Sequence, residues 1–136
     1  MPTKIFVNLP VKNLVKTKAF FAKLGFKFNK EFTDKNAACM VISRDIYSML
    51  VTEKFFKTFT PKKISNAKKT SEALLALALG GREQVDKMAN AAINAGGKET
   101  MPAQDIGWMY SRAFEDLDGH IWEAFWMDVK KRKKGK

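Results

Sequence analysis

One local plan occurs twice along this chain, and that repeat restricts the fold more than any single motif. Lys4-Ile5-Phe6-Val7-Asn8-Leu9 reads as a strand ended by Pro10, and Asn13 can cap a helix whose apolar positions Leu14, Thr17, Phe21 and Leu24 recur every three or four residues. Gly25 stops that helix. Three short strands are predicted next, at 26–31, 37–43 and 46–53, the last two joined by the tight Arg44-Asp45 connection. The order then returns. A strand at 74–79 and a break at Gly80-Gly81 precede a helix over 82–95, with Val85, Met88, Ala92 and Ala95 on its apolar side and Gly96-Gly97 as its stop. Strands at 98–101, 108–115 and 120–127 complete the set. The two halves share few identities, so the repeat lies in the pattern: a β-α-β-β-β module made twice.

The closing hairpin carries the candidate chemistry. In Phe114-Glu115-Asp116-Leu117-Asp118-Gly119-His120, the carboxylates can accept from nearby backbone amides and the glycine can turn the chain. The flanking runs are aromatic and alternating, as two paired strands should be. Along the last strand Ile121, Glu123, Phe125 and Met127 share one face, and His120, Trp122, Ala124 and Trp126 the other. Glu123 is the anomaly. A carboxylate among aromatics is costly to bury unpaired, so its face either meets water or lines a pocket. In the preceding strand Trp108, Tyr110, Arg112 and Phe114 share a face opposite Met109, Ser111 and Ala113, and alternation leaves open which set accompanies Glu123.

Composition narrows the setting. Apolar residues at 46% and charged residues at 29% are globular proportions, and they suit one domain over 1–129. The longest apolar run, Ala73 to Leu79, is too short to cross a bilayer, and the N-terminus lacks a signal-peptide layout. Cys39 is the one cysteine, which points to a reducing cytoplasm and, within Ala38-Cys39-Met40-Val41-Ile42, to a small buried filler. The net charge is +11, and Lys130, Lys131, Arg132, Lys133, Lys134 and Lys136 supply six of those charges in a tail expected to be disordered. A solvated end is favoured there over nucleic-acid binding, because no nucleic-acid motif accompanies it. The remaining body is mildly basic and favours anionic over cationic ligands. Lys54 to Thr70 is a basic linker whose Phe55, Phe56 and Phe59 either pin it to the core or form a lid.

Val7-Asn8-Leu9-Pro10-Val11-Lys12-Asn13-Leu14, Ala19-Phe20-Phe21 and Leu24-Gly25-Phe26 resemble the opening module of the vicinal-oxygen-chelate superfamily, which includes glyoxalase I, extradiol dioxygenases, and bleomycin- and fosfomycin-resistance proteins. Asp116-Leu117-Asp118-Gly119-His120-Ile121-Trp122-Glu123 resembles its closing Asp-Pro-Asp-Gly turn and strand, with Leu117 in place of the proline. The resemblance implies an α+β fold in which two tandem βαβββ modules, about 4–53 and 71–128, form a curved mixed sheet, or cup, with helices packed outside. It also implies a homodimer.

In metal-dependent members, two histidines with one or two carboxylates hold a divalent ion, drawn from the first and last strands of each module. Glu123 matches the final ligand. The other positions fall at or near Phe6 or Asn8, at Met49 or Leu50, and at Leu74 or a neighbour, and none supplies an imidazole. The sequence holds one histidine, His120, on the opposite face of the last strand from Glu123. A glyoxalase-type or dioxygenase-type metal site is therefore not expected, and neither is another cofactor.

What remains is a cup lined by Phe6, Asn8, Met49, Tyr110 and Phe125 around Glu123, an apolar pocket with few polar handles. Glu123 has three open roles: general base, hydrogen-bonding anchor for an amine or hydroxyl, or structural remnant paired with an arginine such as Arg112. The expected function is binding of a small amphipathic or aromatic molecule. The alternative is an enzyme of the same superfamily, lyase-like or dioxygenase-like, using Glu123 as acid/base or an atypical metal. Bleomycin is disfavoured because a basic body repels a cationic drug. A membrane partner is not expected.

Overall fold

The computed structural model describes residues 3–134. The chain divides into two compact units, Met1–Asn66 and Ala67–Lys136, so the boundary falls inside the expected linker.

In the first unit, strand β1 (Ile5–Val11) leads to helix α1 (Leu14–Lys23) and then to β2 (Lys27–Asn29), β3 (Ala37–Ser43), β4 (Ile46–Thr52) and the short helix α2 (Glu53–Phe56). The sheet order is β1-β4-β3-β2, with β1 parallel to β4 and the other pairs antiparallel. Asn13 caps α1 by accepting from Lys16 N at 3.0 Å, as its side chain and position predict. Leu14, Thr17, Phe20 and Phe21 form the buried side of that helix, which lies against β3 and β4. Phe20 and Phe21 meet edge to face at 5.0 Å and are almost wholly buried, each worth about 2–3 kcal/mol of apolar transfer. Cys39 is a buried filler in the same core, and burial raises its thiol pKa.

The strand predicted at 98–101 is shortened to 98–99 and a further short strand forms at 104–105, and in the first unit two boundaries differ for a visible reason. Pro10 does not end β1, which continues to Val11. β1 is the edge of its sheet, where a residue without an N–H does not interrupt a central ladder. The second strand stops at Asn29 rather than Glu31. The Asn29 side chain accepts from Glu31 N at 3.0 Å, and Thr33 Oγ1 donates to Asn29 O at 2.7 Å, which winds Lys30–Phe32 into a 3-10 turn.

The second unit repeats the order with β5 (Leu74–Ala78), α3 (Arg82–Asn94), β6 (Lys98–Glu99), β7 (Gln104–Asp105), β8 (Met109–Glu115), β9 (Ile121–Met127) and α4 (Val129–Lys134). Its sheet runs β5-β9-β8-β6, with β7 also paired to β8 and β5 parallel to β9. Val85, Ala89 and Ala92 of α3 are buried, and the helix packs on β8 and β9, whose Phe114, Trp122 and Ala124 are buried with it. The α+β class and the doubled module are as the sequence implied.

The basic tail departs from the expected disorder. Lys131 N donates to Asp128 Oδ1 at 3.0 Å and Arg132 lies over the Trp108 ring at 5.3 Å, so residues up to 134 are helical. The last two residues of that tail lie outside the described ones.

Candidate functional site

Strand register decides which side chains share a face. In the first unit Val7 lies beside Ser48 and Leu9 beside Leu50, on the side where Ser48 and Leu50 are fully buried. The alternate residues turn away from that core. Phe6 pairs with Tyr47, and the rings stack at 4.6 Å and 8° although Phe6 stays 48% exposed. Asn8 pairs with Met49. Three of the expected pocket residues, Phe6, Asn8 and Met49, thus share the face of this sheet turned away from its buried core.

The second sheet repeats that division. Trp122 and Ala124 are buried on the α3 side, while Ile121, Glu123, Phe125 and Met127 occupy the other face. Glu123 lies between Ala76 of β5 and Ala113 of β8, its two lateral neighbours. Ile121 and Phe125 flank it along the strand. Glu123 is therefore half-buried between two alanines, and among the described residues it forms no hydrogen bond or ion pair. An unpaired carboxylate among apolar neighbours is a polar handle without an internal partner.

Tyr110 does not join this set. Cross-strand partners share a face, and Tyr110 pairs with Trp126, Arg112 with Ala124 and Phe114 with Trp122, all on the helix side. Met109, Ser111, Ala113 and Glu115 accompany Glu123 instead. The Tyr110 hydroxyl donates to Asp86 Oδ1 of α3 at 2.6 Å. Arg112 donates to the same atom at 3.1 Å, to Asn90 Oδ1 at 2.9 Å and to both Glu99 oxygens at 2.9 and 3.2 Å. The Tyr110 hydrogen bond and the Arg112 guanidinium hold Asp86 below its usual pKa. Arg112 thus ties α3 to the sheet and is not the partner of Glu123.

The hairpin turn is a structural device. Asp116 is 3% exposed, and its carboxylate accepts from Asp118 N at 3.0 Å, His120 N at 3.1 Å and Trp122 Nε1 at 3.0 Å. Burial raises its pKa, against the lowering effects of His120 and the Trp122 hydrogen bond. His120 belongs to this turn. Gly119 has φ +89°, and a Cβ there would lie 2.7 Å from Lys68 N and 2.8 Å from Ala67 C, so the 67–68 backbone lies directly on the turn. Segment 67–71 then walls a cleft of about 330 Å³ with Lys98, Glu99, Thr100, Glu115 and Ile121.

The superfamily implies a metal in some members, and these residues do not fit one. Among the paired residues of the first and last strands stand Asn8 with Met49, and Ala76 with Glu123. One carboxylate and one amide among a thioether and a methyl make a poor donor set for a transition metal. Among the described residues no three of His, Cys, Asp and Glu are grouped to hold an ion.

The linker phenylalanines cluster with one another. Phe55 and Phe59 meet at 5.1 Å, Phe56 and Phe59 at 6.2 Å, and α2 packs against β1 and β4. That packing fits the pinning reading, although Phe59 remains 53% exposed.

Residues 3–43 match the family described as bleomycin resistance protein-like N-terminal. Among solved structures, hypothetical protein SA1046 from S. aureus is 26% identical, with 92% of this chain and 94% of that one covered at a TM-score of 0.77. A glyoxalase/bleomycin resistance protein/dioxygenase family enzyme from Burkholderia phytofirmans PsJN is 16% identical, with 90% and 97% covered and a TM-score of 0.77. Fosfomycin resistance protein FosX from Mesorhizobium loti is 13% identical, with 98% of both chains covered and a TM-score of 0.70. No curated protein matches the sequence.

Proposed function

We propose that this protein, which has the fold of the vicinal-oxygen-chelate superfamily, binds a small amphipathic or aromatic molecule on a helix-free sheet face, with Glu123 as polar anchor and no transition metal. The observation that carries this reading is the setting of Glu123, half-buried and without an internal partner among the described residues. Its lateral neighbours Ala76 and Ala113 are small, Phe125 and Ile121 supply apolar contact along the strand, and no donor among the described residues meets the carboxylate. An amine or hydroxyl of a ligand completes the arrangement through a charge-assisted hydrogen bond. The exposed Phe6–Tyr47 stack with Asn8 and Met49 gives the first unit's corresponding face a similar apolar character with one amide.

The reading includes a homodimer in the cytoplasm. Each sheet ends on an edge strand, β1 or β5, where Ile5 is 54% and Leu74 58% exposed, and an apolar edge of this kind suits a second copy. No helix among the described residues is long and apolar enough to cross a membrane.

The test is a screen of aromatic amines and alcohols against protein carrying labelled alanine methyl groups. Binders should shift the Ala76 and Ala113 signals in the wild type and lose that effect in Glu123→Gln. Binders that shift only methyls of the helix-side core, such as Ala89 and Ala92, would overturn the assignment.

A further inference from the structure

Building on the proposed role of Glu123, we infer the class and the direction of the ligand. It is a molecule with an amine or hydroxyl at one end and an apolar chain that runs from Glu123 past Phe125 to the methionine pair Met109–Met127.

Register in the second sheet sorts the Glu123 face into rows, because cross-strand partners share a face. On the side of the 116–119 turn, Leu74 pairs with Ile121, Ile121 with Glu115 and Glu115 with Lys98, so that row ends in two charged residues. Segment 67–71 also walls this side. Away from the turn, Phe125 pairs with Ser111, and the next row sets Met127 opposite Met109, two apolar side chains. Ile106 N donates to Met109 O at 3.0 Å, which brings a third large apolar residue to the same corner.

The polarity of the face therefore runs one way along β9, from charged at the turn to apolar at Met127. A chain laid toward Ile121 would desolvate Glu115 and Lys98, which is costly for charged groups. A chain laid toward Met127 covers apolar surface that the fold leaves open, since Ile106 is 55% and Met127 42% exposed. Each methylene fully buried there is worth about fourfold in affinity. The two methionines suit such a chain, because unbranched thioethers adjust to the shape laid on them.

The carboxylate fixes the head and the strand fixes the length. An ionised carboxylate only accepts hydrogen bonds, so the head is a donor, either amine or hydroxyl. Glu123 and Met127 lie on one face of β9, and four strand residues span about 13 Å. An octyl chain covers that distance and a butyl chain stops near Phe125.

Butylamine and octylamine test this, since they differ in reach alone. Each is titrated into the full chain carrying labelled alanine and methionine methyl groups. Both should shift Ala76 and Ala113, and only octylamine should also shift Met109 and Met127. Octylamine should bind about tenfold more tightly, which corresponds to its extra methylenes at roughly half of full burial. Met127→Gln should remove most of that gain and leave butylamine unchanged, while Glu123→Gln should weaken both amines about tenfold or more. Octan-1-ol, with the uncharged head, should show the same dependence on Met127. Octylamine that binds no better than butylamine, or that moves the Ile121 and Lys98 amides instead of the methionine methyls, overturns the direction, and a loss in Glu123→Gln then still upholds the anchor. Methionine shifts with equal affinity in Glu123→Gln overturn the anchor itself. Met109 and Met127 signals that move when the ligand-free protein is diluted would put a second copy on the pair and overturn the inference.

Discussion

Replacing Gly119 by alanine tests the packing that builds the cleft wall. The substitution carries two separable costs. The φ of +89° is strained for any residue with a Cβ, at about 1–2 kcal/mol. The new methyl would also lie 2.7 Å from Lys68 N and 2.8 Å from both Ala67 C and Lys68 Cα, which are backbone atoms that cannot rotate aside. Displacing them adds about 1–3 kcal/mol, as overpacking does elsewhere. Gly107 supplies the control. Its φ is +87°, yet a Cβ there meets nothing within 4 Å, so only the first cost applies. Urea unfolding should therefore show Gly119→Ala destabilised by about 2–5 kcal/mol and Gly107→Ala by about 1–2 kcal/mol, with unchanged m-values. Equal losses in the two variants would mean that segment 67–68 does not rest on the turn, and the wall of the cleft would go with it.

Tyr110→Phe removes the hydroxyl bonded to Asp86 and should cost about 1 kcal/mol in urea unfolding, while leaving ligand binding unchanged because Tyr110 faces α3. Asp116 has a raised pKa in the folded state, so the folded protein holds its proton more tightly than the unfolded chain does. Its contribution is present below about pH 4 and declines as pH rises through the folded value, and comparing wild type with Asp116→Asn across that window should isolate this slope. Asp105 behaves oppositely. The Arg82 guanidinium and Gly107 N–H lower its pKa to about 2, so its contribution is present above about pH 4 and is lost as pH falls toward 2; Asp105→Asn should flatten that acid limb. Titration with Zn or Ni followed by dialysis and elemental analysis should leave no stoichiometric metal that Glu123→Gln removes.

The sequence announced those parts of the fold whose signals are local. Asn13 and Gly25 bound α1 because a cap and a stop act within one turn of helix, and the 116–119 turn closes its hairpin for the same reason. Pro10 misled because its effect on a strand depends on whether that strand is central or an edge, which is a property of the sheet. Asn29 misled because its side chain competes for a backbone N–H that a strand would otherwise use. The helix at 129–134 sets Arg132 over the Trp108 ring, a contact no local signal announces.

Alternation alone left the facing of β8 open, since both of its faces mix polar and apolar residues. The hairpin register resolves it. Glu115 opposes Ile121 across the turn, so stepping back two residues on each strand sets Ala113 opposite Glu123 and sends Tyr110 and Arg112 to the helix side. That count needed only the turn positions. The cleft had no comparable signal, because nothing local in 67–71 or 98–100 says that the two segments line one space.

Whether Glu123 holds a ligand is the central question of function here. Calorimetric titration of one aromatic amine found in the screen, against the wild type and Glu123→Gln, measures this directly. A hydrogen bond to a charged group is worth about 1.5–3 kcal/mol, so Kd should weaken about 10- to 150-fold in the variant. Indistinguishable Kd values for two equally well-folded proteins would contradict it.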